Sequence, residues 1–217
     1  MILAFECSTR RGQIALCEGE TVLAERTWED AAARHAAFWP ALQSLRDETA
    51  LRWPALDAIA VGRGPGSFSG LRAAITAARV LAAPDHLPVL AISSGEALAN
   101  ELVGAHAAAD TLVVAGDARR GSIWYGVFGL HHGAMQQEGE WKLAPAGDFL
   151  RRLPPGAQVV TSDAERLAAA IGVPTESVIR ESFPSAATVA RLAWRRMQAG
   201  IQGDPVEPLY LHPPVQV

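Results

Sequence analysis

The residues whose types and spacing could do chemistry lie in one run, Gly62-Arg63-Gly64-Pro65-Gly66-Ser67-Phe68-Ser69-Gly70-Leu71-Arg72. It stands between an apolar, strand-like stretch and an alanine-rich helical one, so it reads as a strand end, a tight corner and a helix start. Gly64, Gly66 and Gly70 permit positive φ and close backbone approach, while Pro65 removes a donor and stiffens the turn. Ser67 or Ser69 can accept from the first free amides of the helix. Such a corner presents N–H groups at the positive end of a helix, which suits a phosphate or a carboxylate. The same glycines would serve a corner that needs them only for geometry, and the run by itself leaves both readings open.

Two phosphate-binding patterns can be excluded. A Walker-type loop needs a lysine before its Ser/Thr, and the chain's single lysine, Lys142, is far away in sequence. A dinucleotide fingerprint belongs in the first strand-to-helix turn, whereas this corner follows a fourth strand. No metal site is assigned either. A helical site needs a second ligand one turn from the first, and four residues either side of His35 stand Ala31 and Trp39. His86, His106, His131, His132 and His212 offer no such pair, and the adjacent rings of His131 and His132 point to opposite sides of an extended chain.

Composition narrows the class. A chain of 217 residues, 49% hydrophobic, buries a sizeable core as one large domain or two small lobes. A net charge of −4 argues against holding nucleic acid unaided, because phosphate neutralisation dominates such affinity. Cys7 and Cys17 fall on what should be neighbouring strands and read as a reduced, buried pair. The short apolar start Met1–Phe5 reaches Glu6 at once, and no run is long enough for a bilayer, which gives a cytoplasmic expectation with no membrane partner.

The elements that must position the corner follow from periodicity. Ile2–Phe5, Gln13–Cys17 and Thr21–Thr27 read as a three-stranded meander. Asp30–Glu48 changes to helical spacing, with Phe38, Trp39, Leu42 and Leu45 apolar and Pro40 predicting a kink or a late start. Leu56–Val61 is a fourth strand, Leu71–Ala83 a second helix, Val89–Ile92 a fifth strand and Ser94–Val103 a short helix. Ala73, Ala74, Ala77 and Ala78 keep the second helix's surface low, which suits close approach of another helix. One face of that helix, Leu71, Ile75, Ala78 and Ala82 or Ala73 and Ala77, must pack on the sheet. The second half repeats the order: strands at Thr111–Gly116, Ser122–Leu130 and Glu138–Leu143, a helix at Ala146–Leu153, a strand at Gln158–Thr161 and a helix capped by Ser162-Asp163. Val178-Ile179 adds a strand, and Ser185 caps the long last helix. This is an α/β chain of two ribonuclease H-like lobes, 1–104 and 105–217, the second reduced.

The corner also carries a resemblance. Gly64-Pro65-Gly66-Ser67-Phe68-Ser69-Gly70-Leu71-Arg72 resembles the Gly-Pro-Gly-Ser-Phe-Thr-Gly-Leu-Arg signature of the bacterial TsaB (YeaZ) family, with Ser69 in place of Thr. Asp117-Ala118-Arg119-Arg120 is similar to the family's Asp-Ala-Arg-Arg/Met segment, and Pro208-Leu209-Tyr210-Leu211-His212 to its closing Pro-x-Tyr-Leu-Arg. The resemblance implies the actin-like ATPase superfamily fold. It also implies a non-catalytic dimerization subunit in the N6-threonylcarbamoyladenosine modification of tRNA position 37, meeting tRNA only through its complex.

The implied partners are a TsaD-type catalytic subunit, which carries the His-x-x-x-His motif this chain lacks, and a TsaE-type ATPase as a further candidate. Alone, the chain is expected to pair with a copy of itself. The implied interface takes His35, Phe38, Trp39, Leu42 and Ile75 from the first two helices, together with the corner from Gly64 to Arg72. Glu6, Ser8 and Asp117 stand where the superfamily meets nucleotide, as a vestigial or interface site. No cofactor is expected on the chain alone, with ATP or ADP a candidate at the partner interface. Glu6 lengthens by one methylene an arm that is usually aspartate, which counts against ATP hydrolysis here. The competing reading is an independently active actin-fold ATPase or small-molecule kinase with Glu6 and Asp117 across a cleft.

Overall fold

The computed structural model describes residues 1–29, 36–103, 111–174, 179–201 and 203–211. Strands β1 (Ile2–Glu6), β2 (Arg11–Glu18) and β3 (Thr21–Glu29) make the predicted meander, followed by helix α1 (Phe38–Thr49), β4 (Ala58–Gly62), α2 (Phe68–Ala82), β5 (Val89–Ile92) and α3 (Ser94–Asn100). Then come β6 (Thr111–Arg119), β7 (Ser122–His131), β8 (Ala134–Pro145), a 3-10 helix at Ala146–Arg152, β9 (Gln158–Thr161), α4 (Ala164–Ile171), β10 (Ile179–Glu181) and α5 (Ala186–Gln198). Of the two outcomes expected from Pro40, the late start is the one found. Pro40 sits in the first turn of α1, where its missing N–H has no helical partner to lose. His35 and His212 lie outside the described residues. Ser185 and Asp163 cap α5 and α4 through side-chain oxygens, Ser185 accepting from the Thr188 amide at 3.0 Å and Asp163 from that of Arg166 at 3.2 Å.

Each unit carries a five-stranded sheet in the same order. The first is β3-β2-β1-β4-β5 and the second β8-β7-β6-β9-β10, with the meander antiparallel and the last two strands parallel in both. That is the ribonuclease H-like order twice over, the architecture of the actin-like superfamily. The second half is shortened in its helices and its parallel strands but not in its meander, because β6, β7 and β8 are longer than β1, β2 and β3 respectively, whereas β9 and β10 are shorter than β4 and β5.

The sequence boundaries need correction. One compact unit is Met1–Ala97 with Pro184–Leu209, and the other is Leu98–Phe183 with Tyr210–Val217. The last helix therefore belongs to the first lobe. The reason is in the strand alternation. One face of the first sheet presents Leu3, Phe5, Ile14, Leu16, Ile59 and Val61 to α1 and α2. The other presents mostly small residues, Ala4, Ala15, Cys17, Ala58 and Ala60. Against that low surface packs the equally low face of α5, built from Ala186, Ala187, Val189, Ala190 and Ala193. The Ala186 amide is satisfied by the Gln13 side chain at 3.2 Å.

Cys7 and Cys17 are both free and buried, as the sequence led us to expect, and they lie in the cores on opposite faces of the sheet. Burial pushes the Cys17 thiol up to about 11. In the second unit Leu98, Ala99 and Leu102 cover one face of the sheet, and the 3-10 helix with α4 covers the other. No helix among the described residues is long and apolar enough to cross a membrane.

Candidate functional site: the glycine corner

The corner is closed onto the first unit's own backbone. Ser67 caps α2, its Oγ accepting from the Gly70 amide at 3.3 Å and its carbonyl from the Leu71 amide at 2.9 Å. The Ser67 amide donates to the Ser8 carbonyl at 2.6 Å. Gly64, at φ +100°, exchanges bonds with the start of α3: its amide donates to Ser94 Oγ at 3.0 Å and its carbonyl accepts from the Ser94 amide at 2.8 Å. Gly64, Ser67, Gly70 and Leu71 thus spend their N–H groups internally. The anion-cradle reading fails for those amides, and the geometric one holds.

The glycines are needed because the backbone leaving β1, at Cys7 and Ser8, runs directly beneath. A Cβ on Gly66 would stand 2.2 Å from the Ser8 carbonyl oxygen, and one on Gly70 would stand 2.0 Å from that of Cys7. Both obstacles are backbone, so neither can turn aside. Sequence reasoning missed Ser93 and Ser94 as the corner's supports. The signal was available, since β4 and β5 end in parallel register at Gly62 and Ile92, which puts the next two hydroxyls beside the corner.

The same closure relocates the expected nucleotide residues. Glu6 is fully buried and Ser8 nearly so, beneath the corner, so Glu6 does not line the open cleft that the competing ATPase or kinase reading requires. Glu6 Oε1 accepts from the Ser8 amide at 2.6 Å. Oε2 fills the space where a Gly62 Cβ would stand, 1.9 Å from that point, with Ser94 Oγ 2.7 Å from it. Glu6 Oε2 and Ser8 Oγ are buried without a partner in hydrogen-bonding geometry. Burial pushes the Glu6 carboxyl above the usual carboxylate range, with the Ser8 and Ser94 groups acting against it.

Asp117 belongs to the second unit and is committed to a structural pair. Its Oδ1 accepts from the Arg119 amide at 2.7 Å and its Oδ2 from Arg166 Nε at 2.7 Å. Partial burial would raise this carboxyl, but the Arg119 amide and Arg166 outweigh it and hold it below its ordinary value.

The residues expected at the partner surface divide in two. Phe38, Leu42, Gly64, Pro65, Gly70, Leu71 and Ile75 are buried within their own lobe. The alanine surface of α2 is also largely consumed there, with Ala74, Ala77, Ala78 and Ala82 all buried. Ser67 is half-buried, whereas Trp39, Gly66, Phe68, Ser69 and Arg72 are exposed. Trp39 is 54% exposed and lies edge-on to Phe38 at 5.1 Å between ring centroids. Phe68 is 57% exposed beneath the Arg72 guanidinium, which stands 3.9 Å from its ring centre. What α2 offers outward is thus an aromatic and cationic start, not the small-residue stripe the sequence suggested.

Comparison with known proteins agrees with this geometry. Residues 21–141 match the family model described as TsaD: tRNA N6-adenosine threonylcarbamoyltransferase. The chain is 32% identical over 194 residues to uncharacterized protein Rv3421c of Mycobacterium tuberculosis, covering 89% of this chain and 82% of that one. It is 34% identical over 137 residues to the tRNA threonylcarbamoyladenosine biosynthesis protein TsaB of Bacillus subtilis, covering 63% of this chain and 58% of that protein. Among solved structures, YeaZ from Pseudomonas aeruginosa superposes with a TM-score of 0.79 at 27% identity, covering 97% of this chain and 99% of its own. With the corner signature, the duplicated sheet order and these relatives in agreement, the chain belongs to the TsaB (YeaZ) family.

Proposed function

We propose that this chain is a non-catalytic partner subunit in the N6-threonylcarbamoyladenosine modification of tRNA position 37, binding and supporting a TsaD-type catalytic subunit. The observation that carries this reading is the corner itself: its inward groups are spent on Ser8 and Ser94 while Phe68 and Arg72 are exposed. A corner so filled is a scaffold for a surface and not a seat for substrate. The family model that matches is described by the catalyst's activity, but the chain has no His-x-x-x-His pair to hold a metal in the way that motif requires.

In this reading the TsaD-type subunit supplies the chemistry, tRNA is met through the complex, and a TsaE-type ATPase is a candidate third component. Any ATP or ADP belongs to the interface with the partner, since Glu6 and Ser8 are enclosed. Without its partner the chain pairs with its own copy through the same exposed aromatics, Trp39 and Phe68. The test is titration of the purified chain with the TsaD-type subunit of the same organism. Association at micromolar concentration, and dependence of tRNA modification on this chain, are expected. A mixture that never associates, or ATP turnover by the chain alone that Glu6→Gln abolishes, would overturn the proposal.

A further inference from the structure

The segment 203–209, which follows α5, is fastened to the first unit beside the glycine corner. Asp204 forms an isolated antiparallel bridge with Ala91 of β5, the outermost strand of its sheet. Its carboxylate lies between two guanidiniums, with Oδ2 3.3 Å from Arg196 and Oδ1 3.8 Å from Arg63. Arg196 is in turn paired with Glu96 at 2.5 Å. Charge therefore alternates along Glu96, Arg196, Asp204 and Arg63, and each inner member meets the opposite sign on both sides.

Beyond Asp204 the segment's backbone is also taken up. Arg79 of α2 donates to the Val206 carbonyl at 2.6 Å, and Arg63 Nε donates to that of Glu207 at 3.2 Å. The Leu209 amide closes the segment by donating to the Arg63 carbonyl at 2.8 Å. Val206 packs against the core shared by α1 and α2. Arg63 joins β4 to the corner, and its own amide is held by the Ile92 carbonyl at 2.9 Å.

We infer that residues 203–209 are a strap that holds the glycine corner and α2 in the conformation a partner meets, with Arg63 as its positioning residue. A glycine-rich corner has more conformational freedom to lose than any other stretch of its length, so it stays ordered only where fixed from more than one side. Ser8, just past the end of β1, and Ser94, at the start of α3, fix it from two sides. The strap fixes the residue at its base and, through Arg79, the helix at its far end, while covering part of the edge of β5 that would otherwise present unpaired groups. This gives a physical role to Leu209, one residue of the Pro208–His212 segment whose purpose the sequence did not disclose. The partner-facing half of the inference rests on the function proposed above.

Hydrogen exchange on the full chain tests it, using Asp204→Asn and Arg63→Met, with Arg63→Lys as the conservative variant. Amides of residues 64–72 should exchange about tenfold faster in the first two variants, while β6 and β7 keep their protection. Arg63→Lys, which keeps the charge facing Asp204, should restore most of that protection. Affinity for the TsaD-type subunit should weaken about tenfold in step with loosening of the corner. Unchanged exchange at the corner, or a loss spread evenly through the unit, would overturn the strap. Faster corner exchange with full partner affinity would overturn its positioning role. If even the unaltered chain fails to bind the partner, the proposed function falls, and the exchange data alone judge the strap.

Discussion

The two units carry the same five-strand order yet treat it differently. In the first, 12- and 15-residue helices cover one face of the sheet, and the corner between β4 and α2 is pressed against β1. In the second, a seven-residue 3-10 helix and the eight-residue α4 stand in the corresponding layer, and the equivalent junction after β9 is made by Thr161 to Asp163 with no glycine. A duplicated topology thus supplies two similar frames, and the difference lies in what the parallel strands are allowed to touch. Where glycine lets a loop sink onto backbone, the frame gains a fixed, protruding helix start. Where ordinary residues form the junction, it ends in a simple Asp163 cap.

The comparison breaks most sharply at the glycines. Gly70→Ala drives a Cβ into the Cys7 carbonyl and should cost about 3 kcal/mol or more. Gly147→Ala, in the second unit, meets open space and should stay within about 0.5 kcal/mol. Urea unfolding of both variants measures the contrast, and equal costs would remove the distinction between the units.

A smaller effect separates surface from core within the first unit. Phe68→Ala and Trp39→Ala should weaken TsaD-type partner binding by about 1 to 2 kcal/mol each while leaving unfolding nearly unchanged. Phe38→Ala, next to Trp39 but buried, should cost about 3 kcal/mol of stability. Calorimetric titration beside thermal unfolding distinguishes these outcomes.

In the second unit Asp117→Asn should cost about 1 to 2 kcal/mol through the lost bond with Arg166. Its folded-state carboxyl lies below the ordinary 3.8, so the contribution is present above that value and disappears as pH falls through the folded value. Stability measured between neutral and acid pH should show the variant and the unaltered chain converging at the acid end.

Glu6 in the first unit behaves with the opposite sign. Its folded-state carboxyl lies above the ordinary 4.5, so the fold retains a proton that the unfolded chain has lost, and stability declines as pH rises from 4.5 through the raised value. Glu6→Gln should flatten that decline and give a gain on the order of 1 kcal/mol or less at neutral pH. A decline that persists in the variant would assign the proton elsewhere.

Much of the fold was legible because its signals are local. Strand alternation marked both meanders, Ser185 and Asp163 announced two helix starts, and Pro40 announced either a kink or a late beginning of α1, of which the structure has the second. The corner signature identified the family. What could not be read was which side of each element would remain open. Phe38 and Trp39 are adjacent and chemically alike, yet one is 5% exposed and the other 54%, because Phe5 and Trp28 close around Phe38 alone. Glu6 suggested chemistry by type and place, but residues far along the chain decide its burial. Gly62 leaves the space that its carboxyl fills, and Ser94 stands beside it.

Taken by itself, the sequence determined most of the strands and helices, their succession along the chain and the glycine corner, since periodicity and backbone freedom are properties of near neighbours, while the sheet order was implied by that succession together with the family resemblance. Tertiary structure alone decided that α5 completes the first lobe, that Glu6 lies enclosed and that Phe68 faces outward. Those outcomes depend on surfaces brought together from distant segments, as when Ala186 meets Gln13 across 173 positions. Small faces pack against small faces wherever the chain supplies them, and no window of adjacent residues records where that will be.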